Sequence, residues 1–311
     1  MLLNRTLKDM NKSKLVAEDL PLFESLLKDI FPSVGPIEPT EYKEVQASVN
    51  ALIKEKNLQS VPDWVIKVIQ LYETSLVRHG FMLVGSAGSG KTTIANTLTQ
   101  SLTNIGLPHK MIRMNPKSIS GQQMYGVMNP ATQEWTQGVF SAIWGEANKK
   151  SNTTFTWLVC DGPVDAIWIE NLNTVLDDNK ILTLANNDRI AMLDNVKMTF
   201  EVENLNNASP ATVSRNGIVY VSETDLYWKP LIDTWVADRI SDKESFAGEP
   251  EWMKKFTEKY FLVDTGMHDV LKKTFISVMY VPDVCRVSML LNLFTSILVQ
   301  VQEKGVALNE T

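Results

Sequence analysis

The run Gly85-Ser86-Ala87-Gly88-Ser89-Gly90-Lys91-Thr92 fits the spacing G-x-x-x-x-G-K-[ST], and each position has a chemical use. Glycines at 85, 88 and 90 let backbone N–H groups close around a phosphate, and a helix beginning behind them adds about half a positive charge. Lys91 reaches the β- and γ-phosphates, the Thr92 hydroxyl ligates Mg²⁺, and Thr93 stands beside the α-phosphate. The plainer reading is a glycine turn with a surface lysine. The flanking residues argue against it: Phe81–Val84 is a short apolar run of strand type, and Thr92–Leu102 has helical spacing.

Trp157-Leu158-Val159-Cys160-Asp161 is a second apolar run, ending in a carboxylate of the kind that holds Mg²⁺ through water in such sites. ATP-hydrolysing sites of this class place a glutamate next, to polarise the attacking water; here the residue is Gly162, which has no side chain to act as a base. Asp165 and Glu170 are the nearest substitutes. Asp165 follows Gly162-Pro163-Val164 and reads as the cap of a helix starting at Ala166. His79, His109 and His268 are scattered and define no metal site or triad. Asp177, Asp178 and Asp194 read as water-facing caps of a hairpin, and the tryptophans, Trp144, Trp157 and Trp168 among them, as core or interface residues.

Five apolar runs must position these groups: Phe81–Gly85, Met111–Met114, Trp157–Cys160, Met198–Val202 and Ile218–Val221. Helical stretches, notably Thr92–Leu102 and Val139–Ala147, separate the first three, so the pattern predicts a mostly parallel sheet covered by helices, an α/β fold. Ile181–Leu184 and Arg189–Met192 read as a hairpin standing off it. Helical periods precede the sheet at Leu20–Ile30, Glu41–Ile53 and Trp64–Val77. They dominate again after Val221, at Leu226–Ile240, Glu251–Phe261, Met267–Met279 and Asp283–Val301, predicting a smaller helical subdomain.

The 311 residues are 44% hydrophobic and 21% charged, enough for one large or two modest domains with a core. Thirty Lys and Arg against 36 Asp and Glu leave a net charge of -6, so no overall positive field would hold nucleic acid. Cys160 and Cys285 lie far apart without C-x-x-C spacing, which argues against a disulfide framework and fits a reducing compartment. The charges at Lys8, Asp9, Lys12 and Lys14 come too early for a signal peptide. The apolar run Val287 to Val301 is broken by Ser288, Asn292, Thr295, Ser296 and Gln300, as suits a buried helix rather than a bilayer span. The expectation is a soluble intracellular protein with neither nucleic acid nor membrane as partner.

Longer stretches carry a family likeness. Asp161-Gly162-Pro163-Val164-Asp165-Ala166-Ile167-Trp168-Ile169-Glu170-Asn171-Leu172-Asn173, followed by Leu176-Asp177-Asp178-Asn179-Lys180, resembles the second AAA+ module of dynein heavy chains. Asp19-Leu20-Pro21-Leu22-Phe23, Asp29-Ile30-Phe31-Pro32, Arg78-His79-Gly80-Phe81 and Ala208-Ser209-Pro210-Ala211-Thr212-Val213-Ser214-Arg215 are similar to the same module. The wording around Gly162-Pro163 and Ser214-Arg215-Asn216-Gly217 looks more like axonemal outer-arm dyneins than cytoplasmic ones.

The resemblance implies residues 1–19 as the tail of a preceding module, 20–222 as an α/β nucleotide-binding subdomain with a five-stranded sheet, and 223–311 as a helical lid. ATP or ADP with Mg²⁺ would lie between sheet and lid. It implies a module that binds ATP without turning it over, within a six-module ring of a microtubule motor of the axoneme, with neighbouring modules of the same heavy chain as its partners. Asn204 takes the place of a sensor contacting the γ-phosphate, with a turn asparagine as the alternative. Arg215 takes the place of an arginine finger acting in trans on the preceding module, with a surface salt bridge as the alternative. Arg286 is the candidate second sensor from the lid, and Val34, Pro36 and Ile37 are the candidates for the adenine pocket. Two rival readings stay open: an active ATPase or phosphotransferase with a substitute carboxylate, and a scaffold whose loop is a relic.

Overall fold

The computed structural model describes residues 18–32, 42–222, 225–241, 250–262 and 281–303, with a few isolated residues elsewhere. Val34, Pro36 and Ile37, His268, and almost all of the expected helix Met267–Met279 lie outside the described residues.

The five expected strands form one sheet. They are β1 (Gly80–Val84), β2 (His109–Met114), β5 (Phe155–Asp161), β8 (Val196–Val202) and β9 (Gly217–Tyr220), in the order β2-β5-β8-β1-β9 with every pairing parallel. The central strands are buried on both faces, which is why they read as unbroken apolar runs. Alternate side chains feed two cores. Met82, Val84, Leu158, Cys160, Met198 and Phe200 pack with Phe140, Trp144 and Trp168 on one face. Phe81, Leu83, Trp157 and Val219 pack with Val49, Val68, Leu71, Ile94 and Leu98 on the other. The second face is covered by helices Lys43–Glu55, Pro62–Val77 and Lys91–Asn104.

Between these strands come two hairpins. β6 (Ile181–Thr183) and β7 (Arg189–Ala191) are the expected one. β3 (Gly126–Met128) and β4 (Trp135–Gln137) are not foreseen by the periodicity, because three-residue strands around a six-residue loop leave no alternation to detect.

Helices Lys229–Ser241, Pro250–Thr257 and Asp283–Glu303 enclose a separate small core of Ile232, Val236, Phe261, Val287 and Leu291. A π-helical turn at Glu258–Leu262 follows the second of them and carries Phe261 into that core. Among the described residues Asp283–Glu303 is the one helix long and apolar enough to cross a membrane by length and composition. The expectation of a buried helix needs correcting here. Val287 and Leu291 are buried, whereas Met289, Leu293 and Ile297 on the opposite side are exposed.

Candidate functional site

The sheet delivers four chain segments to its carboxyl edge, where parallel α/β folds place their ligands. β1 runs into the Gly85–Gly90 loop and helix Lys91–Asn104. Gly88 and Gly90 have φ of 81° and 88°, a left-handed backbone that glycine adopts without strain. Gly85 permits a close approach, since a Cβ there would stand 2.2 Å from the Val221 carbonyl. The Lys91 ammonium folds over the loop and donates to the carbonyls of Gly85 (2.6 Å) and Ser86 (2.7 Å). Burial lowers its pKa, with Glu201 and Asp161 pulling the other way.

Beside the loop stands a carboxylate corner with two members that sequence reasoning missed, Glu201 and Arg113. The Thr92 hydroxyl donates to Glu201 Oε2 at 2.5 Å. Glu201 is buried in β8, and its Oε1 accepts from Arg113 Nη2 at 2.8 Å. Arg113 Nη1 donates to Asp161 Oδ2 at 3.0 Å. Sheet register builds this corner: Asp161 lies opposite Glu201, so their side chains share a face, and Arg113 reaches both from two residues back on β2. The Glu201 hydrogen bond, more than the neighbouring charge, raises the Arg113 pKa, so the guanidinium is a permanent cation. A signal was present. Lys197, Thr199 and Glu201 alternate with Met198, Phe200 and Val202, which marks one face of an otherwise apolar strand as polar.

The position after Asp161 is occupied from another direction. A Cβ on Gly162 would stand 2.9 Å from Asn115 Oδ1, which already accepts from the Lys117 N–H. Asp165 precedes helix Ala166–Ile169 as expected, but its carboxylate is paired with the Lys117 ammonium, and Glu170 is exposed.

A cavity of about 680 Å³ opens from the loop toward the helical region. Gly88, Gly90, Lys91, Thr92 and Thr93 form its polar end. Leu58, Trp64, Leu226 and Pro230 form an apolar wall, and Val284 and Cys285 close it from the last helix. The volume is that of a drug-sized ligand site. A Cβ on Gly90 would stand 2.9 Å from the buried Trp64 Nε1, so this tryptophan fixes the cleft against the loop. The apolar wall had no local signature in the sequence, because its residues come from separate helices and turns.

The remaining expected residues do not all converge. Asn204 is exposed, and its Oδ1 accepts from the Asn206 N–H at 3.2 Å, a turn-capping role. Arg286 pairs with Asp283 at 3.6 Å and is not part of the cavity wall, whereas its neighbour Cys285 is. Arg215 ends helix Pro210–Arg215 and is ion-paired with Asp177 through Nε. Asp177 is therefore not a water-facing cap, although Asp194, paired with Lys180, is exposed. His79 and His109 bond backbone carbonyls of Val175 and Leu107, and burial lowers both their pKa values.

The donor set tests what the site can hold. A glycine cradle with a lysine and a helix N-terminus suits a polyphosphate. Thr92, Asp161 and Glu201 supply hard oxygen donors, while among the described residues no group of three or more His, Cys, Asp or Glu could cage a metal. That combination fits Mg²⁺, which keeps waters and binds through few protein ligands together with substrate phosphates.

A five-stranded parallel sheet with this loop at its carboxyl edge defines a nucleotide-binding module of AAA type. Residues 80–216 match the AAA domain of the dynein-related subfamily, and residues 1–92 match the family described as the hydrolytic ATP binding site of the dynein motor region. The chain belongs to the dynein heavy chain family. It is 48% identical over 309 residues to the dynein gamma chain of the flagellar outer arm of Chlamydomonas reinhardtii, covering 99% of this chain and 7% of that one. It is 51% identical over 239 residues to human dynein axonemal heavy chain 8, covering 77% of this chain and 5% of that one. Human dynein axonemal heavy chain 6 is 38% identical over 320 residues, covering 100% of this chain and 8% of that one. The chain thus spans less than a tenth of the length of these curated relatives.

Proposed function

We propose that this chain is the second module of an axonemal dynein ring and holds ATP with Mg²⁺ without hydrolysing it. The observation that carries the reading is the end of β5. Gly162 offers no base, the Asn115 amide stands against its Cα, and the nearby acids Asp165 and Glu201 are engaged with Lys117, Arg113 and Thr92. The Gly85–Gly90 loop and Lys91 would bind the β- and γ-phosphates, Thr92 and Asp161 would hold the metal, and Trp64 with Leu58 would flank the base. Mg²⁺ supplies charge neutralisation of the phosphates when bound. The family description naming a hydrolytic site matches residues 1–92 only and does not reach Asp161 or Gly162.

The division into an α/β part over 20–222 and a helical lid over 223–311 belongs to the same proposal, as do Asn204 as sensor and Arg286 as lid arginine. A nucleotide between the two parts would fix their angle, stabilising the fold by about 4 kcal/mol at a thousandfold excess over Kd. Arg215, steadied by Asp177, would act in trans on the preceding module. Partners would be neighbouring modules of the heavy chain, and microtubules through the whole motor. The rival ATPase reading draws on Glu201, a carboxylate one hydroxyl away from the metal position. It is the weaker reading, because both Glu201 oxygens already accept hydrogen bonds, from Thr92 and Arg113, that hold the carboxylate within the corner.

Two experiments test the proposal. Introducing Gly162→Glu together with Asn115→Ala should create slow phosphate release in a chain that otherwise releases none; equal turnover before and after, abolished by Lys91→Ala, would favour the rival. In the intact heavy chain, Arg215→Ala should depress turnover of the preceding module about 10³-fold or more, and a normal rate would remove the trans role.

A further inference from the structure

The corner formed by Arg113, Asp161, Glu201 and Thr92 goes beyond the nucleotide-holding reading on which it rests. The arginine makes two carboxylate contacts, 3.0 Å to Asp161 and 2.8 Å to Glu201, and the buried Glu201 passes the link on to the Thr92 hydroxyl. The two groups that would serve a metal are therefore tied, directly or through one carboxylate, to a cation that belongs to the protein. Two anionic side chains beside a bound polyphosphate repel it unless a positive charge stands among them, and in a half-buried corner that repulsion is weakly screened.

We infer that Arg113 is a positioning residue acting as the site's built-in cation, which makes nucleotide binding only weakly dependent on Mg²⁺. Arg113 offsets one of the two carboxylate charges whether or not a divalent ion is present, and it competes with that ion for Asp161. A site in which the metal alone offset the carboxylates would lose its nucleotide when the metal is withdrawn. In this one, the phosphates keep the loop, Lys91 and a corner that carries one net negative charge instead of two. Arg113 touches neither nucleotide nor metal in this account; it acts through the two carboxylates.

The test compares ATP affinity of the 311-residue chain, by calorimetry, in excess Mg²⁺ and in EDTA. For the unsubstituted chain the affinity should fall by less than about tenfold on removing Mg²⁺. Arg113→Gln should bind within about threefold of it in Mg²⁺ yet lose about 100-fold or more in EDTA, because two carboxylates then face the phosphates uncompensated. Arg113→Lys, which keeps a charge but not the fork, should fall between, and it carries the comparison if Arg113→Gln does not melt as a folded protein. Mg²⁺ titrated onto the ATP-loaded chain should bind tighter in Arg113→Gln. A loss of about 100-fold in EDTA without any substitution, or the same Mg²⁺ dependence in all three chains, would overturn the inference. Failure to bind ATP under both conditions would instead overturn the nucleotide-site reading beneath it.

Discussion

The two ends of the polar site are built in opposite ways. The Gly85–Thr92 loop is one continuous stretch of backbone hung between a strand and a helix, and its geometry follows from three glycines and one lysine. The carboxylate corner has no continuous stretch at all: Arg113, Asp161 and Glu201 come from three strands and Thr92 from a helix, and only sheet register brings them together. A local motif keeps its chemistry wherever the fold puts it. A corner assembled by register carries its chemistry only as long as every strand stays in place, so the two ends should respond differently to substitution.

The largest difference is expected at the loop. Lys91→Ala should weaken ATP binding by about 100-fold or more, since a half-buried ammonium among phosphates is lost outright, while the melting temperature without nucleotide stays nearly unchanged. Glu201→Ala should do the reverse. It removes the buried acceptor of Arg113 Nη2 and of the Thr92 hydroxyl and leaves Arg113 with Asp161 alone, and chemical denaturation should show a loss of about 1–3 kcal/mol. By contrast Asn204→Ala, which removes a turn cap at an exposed site, should cost the nucleotide-free chain no more than about 0.5 kcal/mol of stability. A Glu201→Ala chain as stable as the parent would break the comparison.

Smaller effects come from the two cysteines. Burial pushes the Cys160 thiol up to about 12, above its ordinary value of 9.0. The unfolded chain therefore loses this proton at a lower pH than the folded one, and stability contributed by Cys160 is present below about pH 9 and falls as pH rises from there toward 12. Cys160→Ser should flatten that alkaline decline in urea titrations. Cys285, on the cavity wall, should be alkylated at pH 8 while Cys160 is spared, and ATP should slow the reaction. Alkylation of Cys285 at the same rate with and without ATP would contradict the placement of the nucleotide in that cleft.

How much the sequence revealed follows the same division. All five sheet strands and the helix after the loop were legible because parallel strands covered by helices read as short apolar runs and the helix follows a motif of fixed geometry. Hairpin β3–β4 was not, being too short for any period. Glu201 escaped because the run Met198–Val202 looks apolar as a whole, and its polar face appears only when alternate residues are separated. Arg113 escaped because nothing in its neighbourhood announces that two carboxylates lie within reach on other strands. Arg215 was singled out by its surroundings in the sequence, yet its partner Asp177 is 38 residues away and belonged to a group read as facing water.

Gly162 leaves the end of β5 without a side-chain base, and the fate of a bound nucleotide reports on that most directly. The 311-residue chain would be loaded with ATP and Mg²⁺, freed of excess, kept for several hours, then denatured and the released nucleotide identified by chromatography. Intact ATP, at one equivalent per chain, is the result expected from Gly162 backed by Asn115. Recovery of ADP, with phosphate release that Lys91→Ala abolishes, would contradict it and would put a carboxylate such as Glu201 to work in its place.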